Sequence, residues 1–184
     1  MHELRWYHVK SRPYVGCDFF LDRRSSMRKF EKISFDQFKK DVKDDINFYK
    51  QYRMPERSTK SSAGYDIFSI EEGIIKKGES KAFKTGLKVC MNPDEVLFLC
   101  SRSSQGYKYD VCLTNCVGVI DSDFYNNETN EGHFQIKLSN NGKQDYVVNV
   151  GDKIAQGIFV KYLTVDSEKE IENERKGGIG STLK

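Results

Sequence analysis

An acidic pair at the end of an apolar run is the part of this sequence with the clearest chemical potential. Val119 and Ile120 favour a half-buried strand, and the following Asp121-Ser122-Asp123 has the composition of a turn. A carboxylate at the end of a strand is held by a rigid element and can still face a cleft. Asp121 is therefore a candidate general base for activating water, although an ordinary solvated hairpin tip has the same composition.

Residues suited to phosphate binding follow a second apolar run, Val96–Cys100. There, Ser101-Arg102-Ser103-Ser104 places one guanidinium among hydroxyls in a predicted turn with free backbone N–H groups. A further turn at Gly151-Asp152 leads into a strand that carries Gln156 as a neutral hydrogen-bond donor. Plain polar loops have similar compositions, so neither segment identifies a site by itself.

Two more segments carry groups of the same kind. Ala63-Gly64-Tyr65-Asp66 opens an apolar strand with a carboxylate, and Arg175 precedes a glycine- and hydroxyl-rich segment, Gly177–Thr182. Glycines allow the backbone to approach a phosphate closely, and hydroxyls donate hydrogen bonds to it. The segment lacks the lysine and following helix of a P-loop, so that interpretation is rejected. A flexible linker is the simpler alternative.

Short apolar runs separated by turn residues position these groups between Arg57 and about Val165. Many short strands with no helices between them predict an all-β sandwich or barrel. The stretch from Glu168 onward is charged and then glycine-rich. It has too little apolar content to fold alone, which predicts a mobile arm.

One helix is predicted before the strands. Ser34 and Gln37 form a capping box, and Ile33 and Phe38 have the spacing of a hydrophobic staple. Apolar residues continue at helical spacing beyond them. This pattern predicts a single amphipathic packing helix that ends before Met54-Pro55.

Length and composition fit one domain with an appendage. The chain has 184 residues, no apolar run near the ~20 residues that span a bilayer, and no signal-peptide core, so a cytoplasmic location is expected. A net charge of +3 is too small to require nucleic acid as a partner.

The five cysteines lie mainly in apolar, strand-like context and are predicted to be buried and reduced. Cys112 and Cys116 lack companion ligands for a metal site.

Taken together and in order, these segments resemble the five motifs of the trimeric dUTPases (deoxyuridine 5′-triphosphate nucleotidohydrolases). The resemblance runs from about Met54 to Thr182, and five ordered motifs are far more specific than any one of them. The matching segments are, in order, Ala63–Asp66, Arg102–Ser104, Asn115 with Gly118–Asp123, Gly151–Gln156 and Gly178–Thr182.

The resemblance implies an all-β, jelly-roll-like β-barrel over residues 54–167. An N-terminal extension with one amphipathic helix, residues 1–53, would precede it, and a flexible arm, residues 168–184, would follow. It also implies a homotrimer with three shared active sites, in which each arm closes over a neighbouring subunit's site. The reaction would convert dUTP to dUMP and pyrophosphate, which limits uracil in DNA and supplies dUMP for dTMP synthesis. Mg2+ would be held mainly by the triphosphate, with Asp66 reaching it through water.

The family's roles transfer to individual residues of this chain. Asp121 would be the base that deprotonates a water for in-line attack on the α-phosphorus. The hairpin after Asn115 would read uracil through its backbone, over the segment Gly118-Val119-Ile120. Phe124 would lie under the sugar, and Ile179-Gly180 would belong to the closing arm. The residues that would hold the phosphates are Arg102, Ser103, Ser104, Gln156, Arg175, Ser181 and Thr182.

This sequence departs from the family pattern at several positions. Phe124 stands where the family usually has a Tyr, although a one-residue slip would bring in Tyr125. Ile179 replaces the aromatic residue of the arm, so stacking on the base is lost. The extra polar residues Asn126–Glu131 enlarge the uracil hairpin. Between Arg175 and Gly178 the arm is one residue shorter than the commonest spacing.

Two other functions have some support in the sequence. The dCTP deaminase branch of the same fold shares the Arg-Ser-Ser segment, but it needs a carboxylate on the strand that leaves the hairpin, where this chain has Ser139. A nucleotide-gated regulator that recruits a protein partner is the second alternative. The N-terminal extension and the enlarged hairpin would supply its binding surface, and such a role need not exclude catalysis.

Overall fold

The computed structural model describes residues 28–169, 171 and 175–178. Its helices are α1 (Phe35–Asp41), α2 (Ile46–Gln51) and α3 (Ser103–Tyr109), and a 3₁₀ turn covers Ser122–Phe124. The strands are β1 (Lys29–Lys32), β2 (Tyr65–Phe68), β3 (Gly73–Ile75), β4 (Ser80–Lys84), β5 (Leu87–Cys90), β6 (Glu95–Cys100), β7 (Val111–Leu113), β8 (Val117–Asp121), β9 (Gln135–Asn140), β10 (Tyr146–Val148) and β11 (Lys153–Lys161).

Antiparallel sheets form the body of the protein. A four-stranded sheet has the order β2-β11-β6-β8, and a three-stranded sheet has the order β4-β9-β7. The pairs β1-β5 and β3-β10 complete the arrangement. Side chains from these strands pack into one core, which includes the buried Phe83, Leu97, Leu138 and Ile154. The predicted all-β, jelly-roll-like class is confirmed.

The expectation that no helix interrupts the strands is wrong at α3. The predicted turn after Arg102 continues as a helix, in which the N–H groups of Gln105 and Gly106 donate to the Arg102 carbonyl at 3.1 and 3.2 Å. The helix ends at Asp110, which has a left-handed backbone with φ 53°. Only Gln105 of this helix is buried, so the sequence carries no helical apolar period that would reveal it.

The single predicted helix of the extension is in fact two helices. Its start is correct, because the Ser34 hydroxyl accepts from the Gln37 N–H at 3.1 Å. The helix stops at Asp41, and a second one begins where the Asp45 carboxylate caps the Phe48 N–H at 2.9 Å. An Asp side chain competes for backbone N–H groups in this way, which favours helix starts over helix interiors.

Aromatic packing keeps both short helices on one face despite the break. The Phe38 ring lies 5.2 Å from the Tyr49 ring and 5.6 Å from the Tyr52 ring, measured between centroids. Ile33 and Phe38, the predicted staple pair, are both fully buried. The Lys32 ammonium donates to the carbonyls of Tyr49 at 2.5 Å and Lys50 at 3.1 Å, which caps the end of α2.

The cysteine prediction is wrong in two respects. Cys90, at the end of β5, is disulfide-bonded, whereas Cys100, Cys112 and Cys116 have free thiols. Cys116 is exposed because it occupies the turn before β8 with φ 60°. Spacing along a sequence does not reveal which thiols the fold brings together.

In the part of the chain that the structure describes, no helix is long and apolar enough to cross a membrane.

Candidate active site

Asp66 lies at the centre of a charged cluster where β2, β6 and β11 run side by side. It pairs with Gln156 of β11, which in turn pairs with Cys100 of β6. The Asp66 carboxylate contacts Arg102 Nε at 3.0 Å and Lys153 Nζ at 2.7 Å. It also accepts from the Ser58 hydroxyl at 2.7 Å.

These partners keep Asp66 ionised. Burial by itself would raise the pKa of the Asp66 carboxyl. The hydrogen bonds from Lys153 and Ser58 and the charge of Arg102 outweigh burial and hold that pKa below its usual value. Gln156 is fixed beside the cluster, because its Nε2 donates to the Ser101 carbonyl at 3.1 Å. Gly64 permits this packing, since a Cβ there would lie 2.5 Å from Gln156 Oε1.

A cleft of about 920 Å³ opens beside this cluster. Four cationic side chains line it, against three carboxylates. The cations are Arg102, Lys108, Lys143 and Lys153. Ser103 and Ser104 begin α3 next to Arg102, and Ser103 is exposed. A cationic cleft with hydroxyls at its edge suits a polyphosphate.

The predicted uracil-reading segment lies on a second pocket, of about 570 Å³. Gly118, Val119 and Ile120 of β8 form one side of it, together with Asn115 and Phe124. Within the described residues, β8 is the edge strand of its sheet, so one row of its backbone groups faces away from β6. Phe124 lines this pocket, whereas the Tyr125 hydroxyl donates to Glu31 of the extension. Of these two rings, that of Phe124 is the one that lines the pocket.

Asp121 ends β8 beside this pocket and contacts the arm. Arg175 Nη2 lies 2.5 Å from Asp121 Oδ2, and Arg175 Nε lies 2.8 Å from Asp123 Oδ1. The same guanidinium is 5.9 Å from the centroid of the Phe124 ring. Burial raises the pKa of Asp121, and Asp123 adds to that rise while the charge of Arg175 opposes it. Sequence reasoning placed Arg175 among the phosphate ligands, but here it lies on the acidic pair.

The arm continues over the second pocket. The Thr129 hydroxyl donates to the Lys176 carbonyl at 3.1 Å, and Gly177 and Gly178 line the pocket. Thr129 belongs to the enlarged hairpin, so this hairpin holds the arm in place. The remaining predicted arm residues lie outside the described part of the chain; they are Ile179, Gly180, Ser181 and Thr182.

Within one chain the two halves of the predicted site lie far apart. Asp121 pairs with Val96 at the start of β6, whereas Arg102 follows the end of that strand. Arg102 is six residues beyond Val96, and a strand rises about 3.3 Å per residue, so Asp121 and Arg102 lie roughly 20 Å apart. A single chain therefore brings Asp66, Arg102 and Gln156 together, but it does not bring Asp121 to them.

Comparison with known proteins agrees with the order of these segments. The protein-family model described as dUTPase matches residues 50–183, which is most of the chain. This chain belongs to the dUTPase family.

Individual relatives cover the same region. The deoxyuridine 5′-triphosphate nucleotidohydrolase of Lactococcus lactis is 44% identical over 130 residues, which is 70% of this chain and 87% of that protein. The enzyme of the same name from Mannheimia succiniciproducens is 35% identical over 149 residues, which is 76% of this chain and 93% of that protein. The resemblance to the dUTPase family is confirmed.

Solved structures show the same fold. The crystal structure of dUTPase from Streptococcus mutans superposes with a TM-score of 0.62 at 35% identity, covering 75% of this chain and 98% of that one. A variant of the dUTPase from phage phi11 of S. aureus has a TM-score of 0.58 at 26% identity, covering 79% of this chain and 97% of that one. The structure of that variant reveals how a structural Mg(II) ion is coordinated in it.

The candidate site has few ligands for a metal of its own. Among residues 28–169, 171 and 175–178, no cluster of three or more His, Cys, Asp or Glu side chains could hold an ion. Asp66 is already paired with two cations. Mg2+ binds in such sites through one or two carboxylates, waters and substrate phosphates, and this arrangement fits an ion that arrives with the nucleotide.

Sequence reasoning missed two groups of this site. Lys153 was visible inside the fourth motif, but its pairing with Asp66 depends on the register of β2 against β11. His133 borders the second pocket and bonds Asp41, which lies 92 residues earlier. No local pattern connects residues so far apart in sequence.

Proposed function

We propose that this chain hydrolyses dUTP to dUMP and pyrophosphate. The observation that carries the proposal is the position of Asp121, at the end of the edge strand β8 and directly beside the pocket lined by Gly118 and Phe124. Its side chain is half exposed, and its raised pKa makes it a better proton acceptor than an ordinary carboxylate.

In the proposed mechanism, Asp121 removes a proton from a water as the water oxygen attacks the α-phosphorus in line. A new P–O bond forms at the α-phosphorus, the bond to the bridging oxygen of the β-phosphate breaks, and pyrophosphate leaves. Arg102, Ser103, Ser104 and Gln156 would stabilise the charge on the departing phosphates. Bound Mg2+ would neutralise phosphate charge, with Asp66 contacting it through water.

Discrimination of the base is proposed to come from the backbone of β8. An edge strand offers N–H and C=O groups in a fixed alternation that a pyrimidine ring can match. A cytosine amino group would meet a donor where uracil presents a carbonyl, which leaves polar groups unpaired. The close fit of Gly118 against Leu99 supports a fixed strand position, because a Cβ there would lie 3.0 Å from Leu99 Cβ.

The active enzyme is proposed to be a homotrimer whose sites combine residues of different subunits. The roughly 20 Å between Asp121 and Arg102 in one chain supports this, since both would have to contact one nucleotide. Val117 and Val119 of β8 are 46% and 57% exposed in the isolated chain and would be suitable contacts for another subunit. Trimeric assembly is typical of the family.

The predicted organisation of the chain is retained as part of the proposal. It comprises an extension over residues 1–53, a barrel over residues 54–167 and a closing arm over residues 168–184. The arm would bring Ser181 and Thr182 to the phosphates, and a triphosphate would compete with Asp121 and Asp123 for Arg175. A nucleotide substrate also supports a cytoplasmic place of action.

The rival deaminase function lacks its key group. The position where it needs a carboxylate is Ser139, whose hydroxyl hydrogen-bonds to the Thr114 hydroxyl at 2.7 Å. Phosphate release should be measured with added pyrophosphatase for dUTP, dCTP, dTTP and UTP, in parallel with ammonia release from dCTP. We expect phosphate from dUTP alone and no ammonia. Ammonia from dCTP, or no phosphate from dUTP, would overturn the proposed function.

A further inference from the structure

The N-terminal extension contacts the enlarged hairpin through three polar pairs. Glu31 accepts from the Tyr125 hydroxyl, and Asp41 lies 2.6 Å from His133 Nδ1. The Ser34 amide and hydroxyl both donate to the Glu131 carboxylate, at 2.8 and 2.5 Å. The match to the dUTPase family begins only at residue 50, so the extension side of all three pairs lies outside it.

The bonds around His133 define the tautomer of its ring. Its side chain is buried, and its Nε2 lies 3.0 Å from the backbone nitrogen of Gly86. A backbone N–H only donates, so Nε2 must be the unprotonated acceptor. The proton of the neutral ring therefore sits on Nδ1, where it is donated to Asp41. Burial lowers the pKa of His133, against the opposing effect of Asp41, which agrees with a neutral ring.

The other side of this ring is also tied to the extension. The carbonyl of Gly86 accepts from the Ile33 N–H at 3.0 Å and from the Tyr52 hydroxyl at 2.7 Å. Gly86 has φ +69°, and a Cβ there would lie 2.8 Å from the Tyr52 hydroxyl oxygen. Both nitrogens of His133 thus contact groups that residues 33–52 hold in place.

His133 in turn fixes one wall of the second pocket, which is the proposed nucleoside pocket. The backbone N–H of His133 donates to the Asn130 carbonyl at 2.9 Å, and Asn130 Nδ2 donates back to the His133 carbonyl at 3.0 Å. Asn130 packs against Gly178 of the arm and lines the pocket together with Phe124. A change in the ring position of His133 would therefore move groups that border the nucleoside.

We propose that Asp41 of the extension is a positioning residue for the nucleoside pocket, acting through the Nδ1–H tautomer of His133. The extension thereby sets how tightly the enzyme binds its nucleotide. This inference rests on the proposed dUTPase function. Loss of a uniform binding contact raises KM and leaves kcat unchanged, because the ground state and the transition state lose the same interaction.

Steady-state kinetics with dUTP test the proposal in the full-length chain. Asp41→Ala should raise KM about tenfold, since a hydrogen bond to a charged group is lost, with kcat unchanged within about twofold. Asp41→Asn should have an intermediate KM, because its amide oxygen can still accept from Nδ1. Asp44→Ala is the matched control: Asp44 contacts Lys39 at the surface at 3.2 Å, and its loss should leave KM unchanged. Equal KM values for Asp41→Ala and Asp44→Ala would overturn the proposal, even if Asp41→Ala melted at a lower temperature.

A spectroscopic measurement tests the tautomer without requiring catalysis. The chain has three histidines, so selective ¹⁵N-histidine labelling gives few signals, and His133→Gln identifies the one from His133. The wild-type ring should show a protonated Nδ1 and an unprotonated Nε2. Asp41→Ala should keep Nε2 unprotonated, because the Gly86 N–H still donates to it, and should shift the Nδ1 signal because Nδ1–H loses its acceptor. A protonated Nε2 in the wild type would overturn the inference. Failure of wild-type dUTP hydrolysis would instead reject the proposed function and leave this measurement valid.

Discussion

Arg175 of the arm binds Asp121, with Nη2 2.5 Å from Oδ2. The cation lies on the candidate base and not in the cationic cleft where phosphates would bind. A positive charge at this distance stabilises the ionised form of Asp121, while burial favours the neutral form. Two opposing effects therefore set the pH at which the base becomes active.

Replacing Arg175 should change the pH dependence of the free enzyme. The charge of Arg175 lowers the pKa of Asp121, so Arg175→Ala should let that pKa rise. Because the base works only when ionised, the acid limb of kcat/KM should move to higher pH. Arg53→Ala, which removes a surface arginine paired with Glu56, is the control and should leave the limb in place. An unmoved acid limb in Arg175→Ala would show that the arm does not contact the base in solution.

Removing the base should abolish turnover but preserve binding. Asp121→Asn keeps the size of the side chain but cannot accept the water's proton, so we expect kcat to fall by about 10²- to 10⁴-fold. Calorimetry with a non-hydrolysable dUTP analogue should give nearly wild-type affinity. Asp123→Asn is the matched control, since Asp123 also binds Arg175, and it should retain far more activity. Turnover in Asp121→Asn above about a tenth of wild type would remove Asp121 from this role.

Co-expression of two inactive variants tests whether sites are shared between subunits. Asp121→Asn and Arg102→Ala each damage every site of a uniform trimer. If the subunits combine at random in equal amounts, about a quarter of all sites take an intact Asp121 from one subunit and an intact Arg102 from another. We expect recovered dUTP hydrolysis and a mass three times the 21.3 kDa of the chain by light scattering. No recovery, or a monomeric mass at micromolar concentration, would contradict the shared site.

Stability should depend on pH through His133. Burial lowers its folded-state pKa, and the charged groups that act on it are Asp41 and Glu71, which raise the pKa, and Lys84, which lowers it. As pH falls, His133 in the unfolded chain takes up a proton at about pH 6.5, whereas in the folded chain it does so only at lower pH. The free energy of unfolding should therefore fall as pH drops below about 6.5. Denaturant titrations should show a smaller loss between pH 7 and acidic pH in His133→Gln. Equal losses in both proteins would assign the pH dependence to other groups.

Features set by neighbouring residues could be predicted from the sequence. Turn residues and short apolar runs indicated the strands, and Ser34 with Gln37 located the start of α1. The break between α1 and α2 was missed, because the apolar period continues through Asp45, whose side chain nevertheless caps a new helix. Helix α3 was missed because it buries almost nothing.

The candidate site was less accessible to sequence reasoning. Ordered motifs identified which residues belong together chemically. They did not show that Asp121, at the end of β8, lies beside the start of β6, whereas Arg102 follows the end of β6. That separation depends on strand pairing between residues distant in sequence. The bonds Arg175–Asp121 and Asp41–His133 likewise join segments 54 and 92 residues apart, and they follow from the completed fold.

The edge position of β8 has a consequence for how such an enzyme changes over generations. A base recognised by main-chain atoms is recognised by the path of the strand and not by the identity of its side chains. If main-chain atoms of β8 read uracil as proposed, the exposed Val117 and Val119 can vary without loss of that preference. A change of substrate would require the strand itself to move, and single substitutions seldom move a strand. Selectivity for uracil would therefore persist while the side chains of β8 change.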